Sequence, residues 1–239
     1  TNAAGTSSGT ATVNGGTLQL STGALASGTV QVDAGGTVQP GTVSTPGAGT
    51  VASLNMNGGN AAFRVGGSPE ILTVTGAFNV AAASTITALP SGPIAGPFPL
   101  TYTVIDYAGS VGGLGSGALS FSSANPHLSG VLIDDVVNTE IKVQVNAADT
   151  VIWKGNVNGN WDVNSTSNWV LSSDGVTSSK YYDFDVVTHD DTGIATPNVT
   201  LVGSITPASV SVANTTGTYS LSGSTISGSA SLAKSGAGN

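Results

Sequence analysis

Val13-Asn-Gly-Gly-Thr-Leu-Gln-Leu20 is followed, about twenty residues later, by Val32-Asp-Ala-Gly-Gly-Thr-Val-Gln-Pro40. Gly15-Gly16-Thr17 and Gly35-Gly36-Thr37 hold the same place in the two copies, and Leu18/Leu20 is answered by Val38. Leu54-Asn-Met-Asn-Gly-Gly-Asn60 is a looser third copy. Repetition at about 20 residues is the mark of a solenoid, in which each repeat buries its apolar face on the next. Paired glycines suit the tight corners of such a chain, and Gly16 and Gly36 are predicted to occupy them.

Around this stretch the apolar residues alternate in pairs: Val30/Val32, Phe63/Val65, Leu72/Val74 and Phe78/Val80. Period-two alternation bounded by Gly, Asn or Ser reads as half-buried strand. An antiparallel meander would show similar spacing, but Gly-Gly-Thr recurs at the coil period and favours parallel coils. The predicted class is all-β, a β-solenoid with an irregular or antiparallel insertion.

Four portions are expected. Residues 1–100 form regular coils, interrupted at their end by Pro90, Pro93, Pro97 and Pro99, which remove backbone donors and point to a loop or sheet edge. Residues 101–150 carry longer strands such as Glu140–Val145 and form the irregular or antiparallel portion. Residues 151–198 are a junction rich in Trp and Asp, and 199–239 return to regular coils that continue into a next unit.

Composition narrows the function. The 239 residues include 34 glycines, 10 prolines and no cysteine; 39% are hydrophobic and only 8% charged. The apolar share is too high for a disordered tract. A net charge of −8 with five basic residues makes a polyanion such as nucleic acid a poor partner. No apolar run reaches the ~20 residues of a membrane span, so this segment is not expected to insert into a bilayer. The absence of thiols suits an exported protein, and a chain opening on Thr1 reads as processed or excised from something longer.

Asn198-Val-Thr-Leu201, Ser209–Gly223 and Ser231-Leu-Ala-Lys-Ser-Gly-Ala-Gly238 resemble the bacterial autotransporter-associated β-strand repeat. Val13–Leu20 resembles the closing phrase of the same repeat. Trp153-Lys-Gly, Asn160-Trp161-Asp and Asn168-Trp169 resemble the segment that precedes such repeats in very large bacterial surface proteins, and Tyr182–Asp191 its continuation. Phe184 and His189 depart from that pattern. The resemblance implies a right-handed parallel β-helix in an exported passenger or surface fibre, at the cell surface or outside the cell, with no chemistry attached.

Two constellations are candidate sites. Trp153, Trp161 and Trp169, eight residues apart, would either stack on sugar rings as a glycan platform or plug the junction as core; each buries about 150–250 Å² when enclosed. Asp183, Asp185, Asp190 and Asp191 would either ligate calcium, with Asp183 and Asp185 on one strand face, or cap turns. The same acids could serve as a general acid and base on a polysaccharide, but little basic chemistry accompanies them, and His127 and His189 stand apart from any nucleophile. Three functions follow: a non-enzymatic fibre module, a glycan-binding adhesin, and a polysaccharide-degrading enzyme. The repeat phrase is split between the two termini, so the chain is expected to meet copies of itself or neighbouring modules head to tail, as an open fibre.

Overall fold

The structure, a computed structural model, describes residues 8–21, 25–42, 45–68 and 70–239; the remainder of the expected 1–100 portion lies outside them. The protein is all-β with several parallel sheets, and its only helical turns among the described residues are two three-residue 3-10 segments. None of its described helices is long and apolar enough to cross a membrane. Two compact units divide near Ala147/Ala148, with Gly92–Ala95 belonging to the second.

In the first unit the chain returns to sheets one and two repeatedly, at short intervals for the first rungs and at 33 and 35 residues for the last (Phe78 to Val111, Ser84 to Leu119). Sheet one runs β1 (Thr10–Val13), β3 (Thr29–Asp33), β6 (Ser53–Asn57), β9 (Phe78–Ala82) and β12 (Val111–Gly113). Sheet two runs β2 (Gly16–Leu20), β4 (Gly36–Pro40), β7 (Asn60–Val65), β10 (Ser84–Pro90) and β13 (Leu119–Ser123). Both are parallel throughout. Gly16 lies opposite Gly36 and Thr29 opposite Ser53, offsets of 20 and 24 residues. The repeat legible in the sequence is therefore the register of the ladder.

That register sets like on like. In sheet two Leu18, Val38, Ala61, Ile86 and Phe121 stand in one column, and the middle three are fully buried. In sheet one Val30, Leu54 and Phe78 form a second buried column, and Val32, Met56 and Val80 a third. Each Val, Leu or Phe so enclosed contributes about 1.5–3 kcal/mol. On the other face of sheet one the amides stack: Asn55 donates to Gln31 (3.3 Å) and Asn79 donates to Asn55 (2.8 Å). Side chains of one type at one rung thus serve both core and surface.

Sheet three takes β5 (Ala48–Val51), β8 (Ile71–Val74) and β11 (Leu100–Tyr107) in parallel, then β15 (Glu140–Ala148), which runs antiparallel to β11, and β14 (Leu128–Asp135) at its edge. Residues from both expected portions, 1–100 and 101–150, lie in this one unit. Pro93, Pro97 and Pro99 lie in the loop between β10 and β11, whereas Pro90, expected there with them, closes β10 opposite Val65.

The second unit has two sheets. Sheet four runs β19 (Ser178–Ser179), β18 (Trp169–Leu171), β16 (Val151–Trp153), β20 (Val186–His189), β22 (Ser209–Val212) and β24 (Ser231–Lys234). Sheet five runs β17 (Asn160–Trp161), β21 (Asn198–Leu201) and β23 (Ser220–Gly223). From β16 through β20 and β22 to β24 the pairing is parallel, with Val187 opposite Val210 and Val210 opposite Leu232, offsets of 23 and 22 residues.

The paired glycines have distinct roles. Gly16 (φ 68°) and Gly35 (φ 86°) take the left-handed conformation. Gly36, expected at a strained corner, instead opens β4 where a Cβ would fall onto the Val13 carbonyl. Its constraint is close approach, not backbone angle. Gly36→Val is expected to cost about 1–3 kcal/mol by overpacking, whereas Gly15→Ala, with open space around it, should change stability by less than about 0.5 kcal/mol. Denaturant titration of both variants checks this, and equal midpoints would remove the close-approach argument.

Charge is scarce, and Arg64 and Glu70 form a buried pair. Glu70 is fully enclosed; it accepts from the Arg64 guanidinium at 2.5 Å and from the Arg64 backbone N–H at 2.8 Å, while the guanidinium also donates to the Thr42 carbonyl at 2.8 Å. Removing the cation leaves an enclosed carboxylate without its counter-charge. Arg64→Met is expected to destabilise the first unit by about 3–5 kcal/mol. The double variant Arg64→Met/Glu70→Leu should recover a large part of that loss, and a double mutant as unstable as the single would contradict it.

Candidate functional site

The three tryptophans were candidates for a sugar platform, and the structure overturns that reading. Trp153, Trp161 and Trp169 are each 0% exposed. Trp153 and Trp169 face each other across the antiparallel pair β16/β18, with ring centres 5.1 Å apart at 76°. Trp161 meets Trp169 at 5.2 Å and Tyr181 at 5.4 Å, both edge to face. Edge-to-face packing sets the positive rim of one ring on the negative face of the next. No indole face is left for a sugar. The physical reason is bulk: the second unit has only short strands, and these rings fill its core together with Val187, Val199 and Ile205. Gly193 makes room for them, since a Cβ there would lie 2.8 Å from Trp153 Cδ1 and from the Tyr219 hydroxyl.

At the centre of the cluster is His189, a residue the sequence reading set aside. Its ring is 0% exposed and lies against Trp153, Trp161, Trp169 and Tyr219. Among the described residues neither ring nitrogen has a hydrogen-bond partner, and the same holds for Trp161 Nε1 and Trp169 Nε1. Trp153 Nε1, by contrast, donates to the Thr196 carbonyl at 2.9 Å. Desolvation by this apolar cage pushes the His189 pKa down to about 4, opposed by the neighbouring Asp190 charge. The only hint in the sequence is alternation: Val187 and His189 point the same way on β20, and Val187 is core.

The four candidate aspartates do not line one strand face. Asp183 and Phe184 form a turn in which Phe184 has φ 69°, and β20 begins only at Val186. Asp183 accepts from the Thr206 backbone N–H (3.0 Å) and the Tyr181 hydroxyl (3.1 Å). Asp185, nearly enclosed, accepts from the Tyr182 N–H at 2.8 Å. Asp190 caps a 3-10 turn by accepting from the Thr192 N–H at 2.9 Å. Asp191 accepts from Thr215 and Thr216, through backbone N–H groups at 2.8 and 3.0 Å and the Thr215 hydroxyl at 2.6 Å. The Thr215 hydroxyl and these N–H groups hold the Asp191 carboxyl below its usual range. Each carboxylate fastens a different turn of the chain, as a short polar acceptor does at a turn. Among the described residues, no three metal-ligating side chains gather at one point.

The sheet edge is a third candidate feature. β24 is the terminal strand of sheet four, and all four of its residues are exposed. Leu232 is 69% exposed, yet it stands in the column Val151, Val187, Val210, whose members are buried at 0%, 0% and 2%. β23 is likewise the terminal strand of sheet five. Comparison of the chain with family models, with curated proteins and with solved structures gives no match.

The His189 cage makes stability depend on pH. Unfolded, the imidazole takes a proton near pH 6.5; folded, it resists down to about 4. Between these values the unfolded chain binds the extra proton, so stability falls with falling pH, by about 3 kcal/mol across the window. Below it this contribution is flat, and carboxylates such as Asp191 take over. All three tryptophans are in this unit, so indole fluorescence in denaturant at pH 7 and 4.5 reports on it, and His189→Phe should flatten the slope. An unchanged midpoint between those pH values would rule out the cage as described.

Proposed function

We propose that this chain is a non-enzymatic structural module of a bacterial cell-surface or extracellular fibre. On this reading it is a right-handed parallel β-helix that joins head to tail to a neighbouring module or to a second copy of itself. The observation that carries the proposal is Leu232, an exposed leucine on top of a column that is otherwise buried. A terminal strand with free backbone donors and acceptors pairs with any matching edge. One more rung would cover Leu232 as Val210 and Val187 are covered, gaining about 1.5–3 kcal/mol from that side chain.

The complementary surface is the edge formed by β1 and β2, the first strands of sheets one and two. A contact between unlike edges is heterologous, and unless its rotation closes it generates a filament. The resemblance of Ser231–Gly238 and Val13–Leu20 to two halves of one repeat phrase supports the same pairing. The low charge and the absence of cysteine suit a fibre outside the cell. Commitment of the candidate aspartates to turn N–H groups favours this structural reading over catalysis or calcium binding.

Sedimentation and electron microscopy of the isolated chain test it. Association should grow with concentration and form open linear species. Leu232→Asp should weaken it by about ten- to a hundredfold, the equivalent of the burial lost. A chain that stays monomeric at millimolar concentration, or that associates equally well as Leu232→Asp, would refute the contact.

A further inference from the structure

Within the first unit, a cleft of about 510 Å³ opens between β13 and β14. These two strands are the terminal members of different sheets. Leu119 and Phe121, alternate residues of β13, line one side; Gly130, Leu132 and Asp134, alternate residues of β14, line the other. Phe121 ends the column that starts at Leu18, and unlike Val38, Ala61 and Ile86 below it, it is only half-buried. Gly130 keeps the wall thin: a Cβ there would meet the Gln144 carbonyl at 2.5 Å and the Phe121 ring at 3.0 Å.

One end of the cleft is charged. Asp134 accepts from the Tyr107 hydroxyl at 2.5 Å and from the Ser116 hydroxyl at 2.6 Å. Burial, aided by the Asp134 carboxylate, pushes the Tyr107 hydroxyl up to about 12, so it remains a donor. No cation among the described residues pairs with Asp134; nearby Lys142 is engaged by Asp135 and Glu140. The cleft therefore combines an apolar floor, a carboxylate without a counter-ion, and two terminal strands.

We propose that this cleft receives an extended peptide segment of a partner protein, added as a further strand on β13. Two apolar side chains would sit over Leu119 and Phe121, with a basic one directed to Asp134. Strand addition to a free sheet edge takes its affinity from main-chain hydrogen bonds and its specificity from alternate side chains. The direction follows from the site. Every strand of sheet two is parallel, and Asp134 meets Ser116, at the N-terminal side of β13, whereas Gly130 lies against Phe121. The basic residue thus precedes the apolar pair, with the pattern basic-x-apolar-x-apolar. A neutral sugar is the poorer fit, because it would leave the Asp134 carboxylate without a counter-charge. The proposal is independent of the head-to-tail contact, which uses other strands.

The probe is a fluorescein-labelled Thr-Lys-Thr-Val-Thr-Val-Thr peptide, titrated with the full chain and read by anisotropy. Saturable binding is expected, weakened about tenfold when Glu replaces Lys, since a charge-assisted contact becomes repulsive. A peptide N-methylated at alternate amides should not bind, because it cannot form the ladder. Asp134→Asn should erase the preference for Lys over Glu, and hydrogen exchange should slow at 119–123. These peptide-side changes leave the protein untouched, so they decide the matter even if Asp134→Asn folds poorly. No binding at millimolar peptide, no preference for Lys over Glu, displacement by a neutral oligosaccharide, or protection at 231–234 instead of 119–123 would each overturn the proposal.

Discussion

The structure depends on the parallel ladder, and in particular on its register. A parallel strand pair places residues of equal rank side by side, so a residue at one rung is answered by another of similar kind on the rung above. In the first unit this puts Val38 on Leu18, Leu54 on Val30 and Asn79 on Asn55. A slip of one residue would turn every buried column outward and every amide inward. Register is thus a condition of the core, and Gly36, against the Val13 carbonyl, is held to it by close approach.

A protein built this way has little use for charge. Its faces are held by hydroxyls, amides and main-chain groups, and its few carboxylates fasten turns: Asp191 to Thr215 and Thr216, Asp183 to Thr206. Where an ion pair is enclosed, as at Arg64 and Glu70, both side chains make further hydrogen bonds to the backbone. The second unit sets beside its aliphatic column of Val151, Val187 and Val210 a cluster of interlocked aromatic rings around His189. That solution fills space between short strands, and leaves a neutral imidazole among the rings.

Terminal strands are the counterpart of regularity. A ladder that can be extended by one rung has no intrinsic stop, so edges must be covered, charged or used. β24, with Leu232 uncovered, and β13, with Phe121 half-covered in the cleft that Asp134 also lines, are two such edges with different chemistry. The first is an apolar rung that calls for another like it. The second adds the Asp134 charge.

Much of the ladder was legible in the sequence. Gly15-Gly16-Thr17 and Gly35-Gly36-Thr37 set the offset of β2 on β4, and period-two alternation marked the buried members of β3, β6 and β9. These are local signals, because a strand's two faces are written into alternate residues. The tryptophans, the aspartates and His189 were different. Spacing eight apart is compatible with an exposed platform or a core, and only the tertiary structure decided for the core, by bringing Tyr181 and Tyr219 from elsewhere in the chain to close around them. Asp183 and Asp185 alternate in sequence, but a positive φ at Phe184 breaks the strand that would have aligned them. The cleft beside Asp134 is legible in no single segment: its carboxylate, its hydroxyl donors and its apolar floor come from strands and a turn that only folding assembles.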